Sequence, residues 1–378
     1  MDHIDALLEA AIHRKATDLY LTVGSAAALR IDDAIETIGA PLADADLDRY
    51  LSQLLTETQR AEFAAALEFN TAFLWQDLAR FRLNIFRQQG HAGIVVRRIQ
   101  MDIPSPDKLG LPALVGDLAL LKRGLILIAG PTGSGKSTTM AAMIGHRNAH
   151  GSGHIITVED PIEFVHPHGG CLITQRDVGL DTTSYAAALK NALRQRPDMV
   201  AIGEIRDREV MEQAIYFAET GHICLATLHA NNANQTIERV LNFFPEERHQ
   251  QIRMNLALNL RAVLAQRLVP NLKGTRSLAL EVLLNNGLIR QLIEEGKVRQ
   301  VREMIEKNRA EGMQTFDQCL MDMITAGTIS EEAALAETDN ASNLRMQLTN
   351  RKGLSKMQVH EITLAPGRRG AGGSSSEF

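Results

Sequence analysis

Apolar and polar positions along the first hundred residues follow two alternating periods. Asp5–Ile12 places its apolar side chains at helical spacing, whereas Asp18–Val23 alternates as a strand does and ends at Gly24. Ala79–Phe86 and Gly93–Ile99 alternate in the same way and flank Gln88-Gln89-Gly90, which suits a turn. The pattern predicts a small α+β module over residues 1–103. Pro104-Ser105-Pro106-Asp107 then interrupts regular structure, so 104–123 reads as a linker with a hinge.

From residue 124 the pattern changes. Leu125–Ala129, Ile155–Val158, Met199–Ile202 and Ile223–Leu228 are short, unbroken apolar runs separated by helical stretches. Strands of this kind suit a mainly parallel sheet covered on both faces, here over 124–270. After Pro270 the sequence reads as helical and charged through about residue 335, with Ser330 as an N-cap ahead of Glu331 and Glu332. Residues 271–350 are therefore expected to be a helical region. Residues 351–378, glycine- and serine-rich beyond Pro366, are expected to be a disordered tail.

Composition narrows the function classes. A chain of 378 residues fits two domains at roughly 150 residues each. Its formal charge of −5 argues against a generally basic nucleic-acid binder. No apolar run approaches the roughly 20 residues that span a bilayer, and Met1-Asp2-His3-Ile4-Asp5 lacks a signal-peptide core. Cys171, Cys224 and Cys319 are scattered, as expected of reduced thiols in a cytoplasmic protein.

The densest chemical signal is Gly130-Pro131-Thr132-Gly133-Ser134-Gly135-Lys136-Ser137-Thr138. It follows an apolar run and opens onto a helical stretch, the context of a phosphate-binding loop. Its glycines let backbone N–H groups turn toward phosphates, and the following helix offers its positive end. Lys136 is expected to reach the β- and γ-phosphates of ATP and Ser137 to ligate magnesium. Asp198–Glu204 reads as a strand with Glu204 at its carboxyl end, where doubly wound sheets bind ligands. Glu204 is placed to orient and deprotonate a water or to order the magnesium shell; pairing with Arg206 or Arg208 is the structural alternative. Glu159, Asp160 and Glu163 crowd three carboxylates into five residues, a repulsion that a magnesium–nucleotide site would relieve. His222 and His229 bracket the last apolar run. His229 shares the carboxyl edge with the phosphate loop and could donate to the γ-phosphate; His222 lies at the other end.

Together these segments resemble the secretion and type IV pilus ATPases. The matching stretches are 130–138, Ile156–Phe164, Gly203–Asp207, and Thr220-Gly221-His222 through Leu228-His229-Ala230. Thr17-Asp18-Leu19, Ala79–Asn84 and Gly312–Gln318 are similar to the PilT/PilU retraction branch. Val298–Ile305 and Asp339–Arg345 look closer to its PilU type than to its PilT type. The resemblance implies a RecA-like P-loop core, a smaller PAS-like N-terminal domain and a homo-hexamer. It implies ATP and Mg2+ as ligands, with Glu204, Glu163 and His229 in catalysis and Glu159 and His222 at the nucleotide. Arg82 and Arg97 match arginine fingers that complete the site from the N-terminal domain. The implied work is pilus retraction and twitching motility through a PilC-like platform protein at the inner-membrane face. The alternative is an ATP-binding accessory subunit docked on a PilT-type paralogue. A nucleic-acid motor is disfavoured by the acidic balance and few aromatic residues.

Overall fold

A computed structural model describes residues 3–32, 34–76, 78–99 and 102–350. The expected tail, 351–378, lies outside the described residues. The chain begins with α1 (Ile4–His13), whose Ile4, Leu7, Leu8 and Ala11 fall on one buried face. β1 (Asp18–Thr22), β2 (Ala26–Ile31) and β3 (Ala34–Pro41) follow, then α2 (Asp44–Leu54), α3 (Glu57–Ala66), β4 (Glu68–Trp75), β5 (Ala79–Gln88) and β6 (His91–Ile99). These strands form an antiparallel sheet in the order β3-β2-β1-β6-β5-β4.

Alternation decides its two faces. Phe81, Leu83 and Ile85 of β5 and Ile94 and Val96 of β6 point into a core shared with Leu7, Leu8, Leu47 and Tyr50 of the helices. The opposite face is polar, as one-sided antiparallel sheets are. There the register sets Arg30, Asp18, Arg97 and Arg82 side by side across four strands.

The linker is not structureless: α4 (Ala113–Ala119) lies within it and buries Val115, Leu118 and Ala119. Beyond it come β7 (Gly124–Ala129), α5 (Lys136–His150), β8 (Gly153–Glu159), β9 (Cys171–Asp177), α6 (Tyr185–Ala192), β10 (Met199–Ile202), α7 (Arg208–Glu219), β11 (Ile223–Leu228), α8 (Ala233–Asn242), α9 (His249–Asn259), β12 (Leu260–Pro270) and β13 (Arg276–Leu284). The second sheet runs β13-β12-β7-β11-β10-β8-β9, parallel except for the β12–β13 pair. β7, β10 and β11 are buried at every position. Their side chains divide between two cores: Ile126 and Ile128 meet Met140, Met143 and Ile144 of α5. Leu125 and Leu127 face the opposite core, with Met211, Phe217 and Ile237 of α7 and α8. The four apolar runs read as strands are β7, β8, β10 and β11.

The helical reading of 271–350 needs correction at its start. β13 is a strand because Ala279–Leu283 pair with β12 and are buried on both faces. Its Leu, Ala and Glu residues are good helix formers, and pairing with a distant strand overrides that local preference. The remainder is helical: α10 (Gly287–Glu294), α11 (Val301–Lys307), α12 (Phe316–Thr325), α13 (Glu331–Glu337) and residues 341–350. Ser330 caps α13 by accepting from Ala333 N.

Candidate functional site

Strand β7 ends where the phosphate loop begins, and α5 starts at Lys136. Gly135, the residue before the helix, has φ +85°, a conformation that side chains rarely adopt. A Cβ at Gly130 would collide with the Ser134 side chain and the Gln266 carbonyl oxygen. The loop is braced from β12, where Gln266 Nε2 donates to Ser134 O at 2.6 Å. Lys136 is buried, and its Nζ donates to Gly130 O at 3.0 Å and Pro131 O at 2.9 Å. Burial pushes its ammonium below the usual lysine range, with Glu204 and Glu163 opposing. Phosphate oxygens would offer this ammonium charged acceptors in place of two carbonyls.

The carboxyl ends of the parallel strands converge on the loop and enclose a cleft of about 430 Å3. Thr132, Gly133, Gly135, Lys136, Ser137 and Thr138 form one wall. Glu159, Asp160, Glu163, Tyr185, Glu204, Arg206 and His229 form the other. Glu204 is the hub of this wall: Oε1 meets His229 Nε2 at 2.8 Å and Oε2 accepts from Arg206 Nε at 2.7 Å. Arg206 Nη1 continues to Asp160 Oδ2 at 2.9 Å. The alternative of a Glu204–Arg206 ion pair is thus present, but inside the cleft. Its hydrogen bond to Glu204 raises the Arg206 guanidinium above its ordinary value.

Glu159 ends β8 and is buried. Thr157, two residues earlier on the same strand face, donates to its Oε1 at 2.7 Å. Burial outweighs that bond and raises the Glu159 carboxyl to about 7. Glu163 is exposed at the cleft's edge.

Residues without a local sequence signal hold the wall in place without lining the cleft. Gln175 of β9 donates from Nε2 to Phe164 O at 2.9 Å and accepts from His166 N at 2.8 Å, clamping the acidic segment. Asp177, at the end of that strand, is buried and accepts from Ile162 N at 3.2 Å. Burial raises its carboxyl, while the Ile162 bond and the Arg82 charge oppose the shift. Thr157 was in principle legible, two positions before an acid on a strand; Gln175, Asp177 and Gln266 come from distant strands.

Three expected residues stand apart from this cleft. His222 lies at the opposite end of β11, with Nδ1 3.0 Å from Thr220 Oγ1 and its ring edge-on to Phe217. A strand of six residues separates it from the carboxyl edge. Arg97 is on the first sheet, its Nε 2.8 Å from Asp18 Oδ1. Arg82 is its cross-strand neighbour. Within one chain neither arginine lines the cleft.

The donor set suits magnesium: one hydroxyl, Ser137, and several carboxylates, all hard oxygens. Among the described residues no group of three or more His, Cys, Asp or Glu stands ready to hold a metal. The ion would therefore be shared with nucleotide phosphates.

A model of the type II/IV secretion system protein family matches residues 2–358. The chain is 46% identical over 346 residues to the type IV pilus ATPase PilU of Pseudomonas aeruginosa, covering 91% of each. It is 39% identical to the type IV pilus retraction ATPase PilT of the same organism, covering 88% of this chain and 96% of that one. The crystal structure of the pilus retraction motor PilT with bound ADP superposes with a TM-score of 0.86 at 38% identity, covering 91% of this chain and 99% of that one.

Proposed function

The chain belongs to the type II/IV secretion system protein family, in its PilT/PilU branch of P-loop ATPases, and we propose that it hydrolyses ATP as a homo-hexamer to power type IV pilus retraction. The observation that carries the reading is the single cleft in which Lys136 faces Glu204, itself bonded to His229 and Arg206. Glu204 orients and deprotonates the attacking water. His229, through Nε2, fixes the rotamer of that carboxylate and lies within reach of the γ-phosphate. Ser137, with Glu159 and Glu163, would hold magnesium, which supplies charge neutralisation on the phosphates.

A second cleft of about 580 Å3 adjoins the first through Gly135, Thr138 and Leu268. Leu109, Leu278 and Met323 give it apolar walls, and Arg276 a cation. It suits the purine and ribose. Because Lys108–Gly110 of the linker form part of it, a bound nucleotide would be felt where the two sheets are joined.

Completion of the site falls to Arg82 and Arg97, delivered when the first sheet swings toward the cleft. Repeated closure around a ring would be transmitted to a PilC-like platform protein, with the ATPase peripheral at the inner-membrane face. Among the described residues no helix is long and apolar enough to cross a membrane. The greater identity to PilU than to PilT, 46% against 39%, favours a second reading as an accessory ATPase that docks on a PilT-type motor. Retraction assays separate them. A Glu204→Ala strain as defective as the deletion supports the motor; one nearly normal supports the accessory.

A further inference from the structure

Strand β12 touches three things at once. Gln266 points to the phosphate loop and Leu268 to the cleft, so Arg267 between them points to the other face. There its guanidinium crosses to the C-terminal helices. Nη1 donates to Glu337 O, and Nη2 reaches Asp339 Oδ1 at 2.5 Å. The same Nη2 donates to Asn231 O at 3.1 Å, two residues beyond His229. Asp339 also accepts from Asn232 Nδ2 at 3.4 Å, and Asn232 caps α8 by accepting from Gln235 N at 2.9 Å.

This junction is shielded. The Arg267 and Asp339 side chains are each only 14% exposed, and the guanidinium stacks 4.2 Å over the Phe316 ring at the start of α12. Behind it, buried Glu281 of β13 accepts from Ala233 N at 2.7 Å and Phe316 N at 3.4 Å, joining the first turns of α8 and α12. Arg302 of α11 ties in with Nη2 2.8 Å from Asp317 Oδ2. Two of these links, Arg267 Nη2 to Asn231 O and Asn232 Nδ2 to Asp339, reach the four residues that follow β11.

We propose that Arg267 is a positioning residue for the hydrolytic step, tethering the His229–Asn232 loop to Asp339 so that His229 meets Glu204 only while the C-terminal helices are docked. The proposal rests on the ATPase reading in which His229 acts beside Glu204. Physically, one planar guanidinium serves a loop carbonyl, a helix-end carbonyl and a carboxylate; a lysine ammonium lacks that fork. Only Ala230 separates His229 from the tethered Asn231, so a shift of the helices is passed toward the imidazole through one residue. Movement of whatever the C-terminal helices contact would thus reach the γ-phosphate end of the cleft.

The test is steady-state ATP turnover of the full chain, with ADP affinity and melting temperature measured alongside. The variants are Asp339→Asn, Arg267→Lys, His229→Ala and the Asp339→Asn/His229→Ala double. Asp339→Asn and Arg267→Lys should each lower kcat about tenfold and leave ADP affinity within about twofold, because displacement from the reactive geometry, not nucleotide binding, is what they change. Asp339→Asn should add nothing once His229 is already alanine. An undiminished Asp339→Asn effect in the His229→Ala background would overturn the tether, as would a matching loss of ADP affinity. Should Asp339→Asn unfold, Arg267→Lys carries the same comparison. A His229→Ala chain with normal turnover would refute the role given to His229. Normal Asp339→Asn turnover beside a crippled His229→Ala chain would refute the tether alone.

Discussion

At neutral pH the buried carboxyl of Glu159 is poised between its two protonation states. Burial raises it from an ordinary 4.5 to about 7, so between those values the empty folded site holds a proton that an exposed carboxyl would release. A magnesium ion held beside the carboxylate when the nucleotide complex binds would put positive charge next to it and pull that value down again. Binding of Mg-ADP near pH 7 is therefore expected to release a proton, and affinity to rise with pH up to about 7 and then level. Calorimetry in two buffers of different ionisation enthalpy measures the release, and Glu159→Gln should abolish it. Unchanged proton release in that variant would remove Glu159 from the ion's surroundings. Lys136→Ala should abolish turnover, since no other cation replaces an ammonium seated inside the loop. The residues legible in the sequence were those whose chemistry is local: the loop at 130–138, Glu204 ending a strand, the acidic run at 159–163. Gln175, Asp177 and Gln266 escaped because strand pairing, absent from any local pattern, brings them to the site. Arg206 was weighed as a competitor of the site and proves to be a wall of it.

Elements were legible where burial is symmetric and the run unbroken. β7, β10 and β11 lie inside the sheet and read as uninterrupted apolar runs for that reason. β13 was lost because Ser277-Leu278-Ala279-Leu280-Glu281 has neither strict alternation nor β-branched enrichment, and its strand character comes from β12. Leu283 at its end is fully buried. Leu283→Ala should cost about 2–5 kcal/mol in denaturant unfolding, as buried leucines do; a loss below about 1 kcal/mol would contradict a buried strand. The turn between β7 and α5 gives a complementary expectation. Gly130→Ala should lower stability and weaken ADP binding severely, because the added methyl displaces Ser134 or the β12 backbone. Wild-type ADP affinity in that variant would mean that the loop has room the structure denies it.

On the scale of the molecule, two sheets with separate cores are joined through residues 102–123, and the catalytic wall belongs entirely to the second. For the polar row Arg30–Asp18–Arg97–Arg82 to meet that wall, the first sheet has to move. Arg97 rests on Asp18, and Arg82 lies close enough to Asp177 to oppose its upward shift. If these arginines complete the site on closure, Arg82→Ala or Arg97→Ala should lower kcat by about 10^3, the scale of arginine fingers, with ADP affinity little changed. Loss of less than about twofold in both would assign them to the solvated sheet face alone. Motion of this kind leaves no signature in hydrophobic patterning, which is why the resemblance suggested these residues and local spacing did not. The chain itself is expected to turn over ATP through Glu204. The most direct test is the ATP turnover of the purified chain, alone and mixed with a PilT-type partner, with Glu204→Ala as the blank. Substantial turnover by the chain alone that vanishes in Glu204→Ala is the expected result. Turnover no higher than the blank until the partner is added would contradict an autonomous motor and make this a dependent subunit.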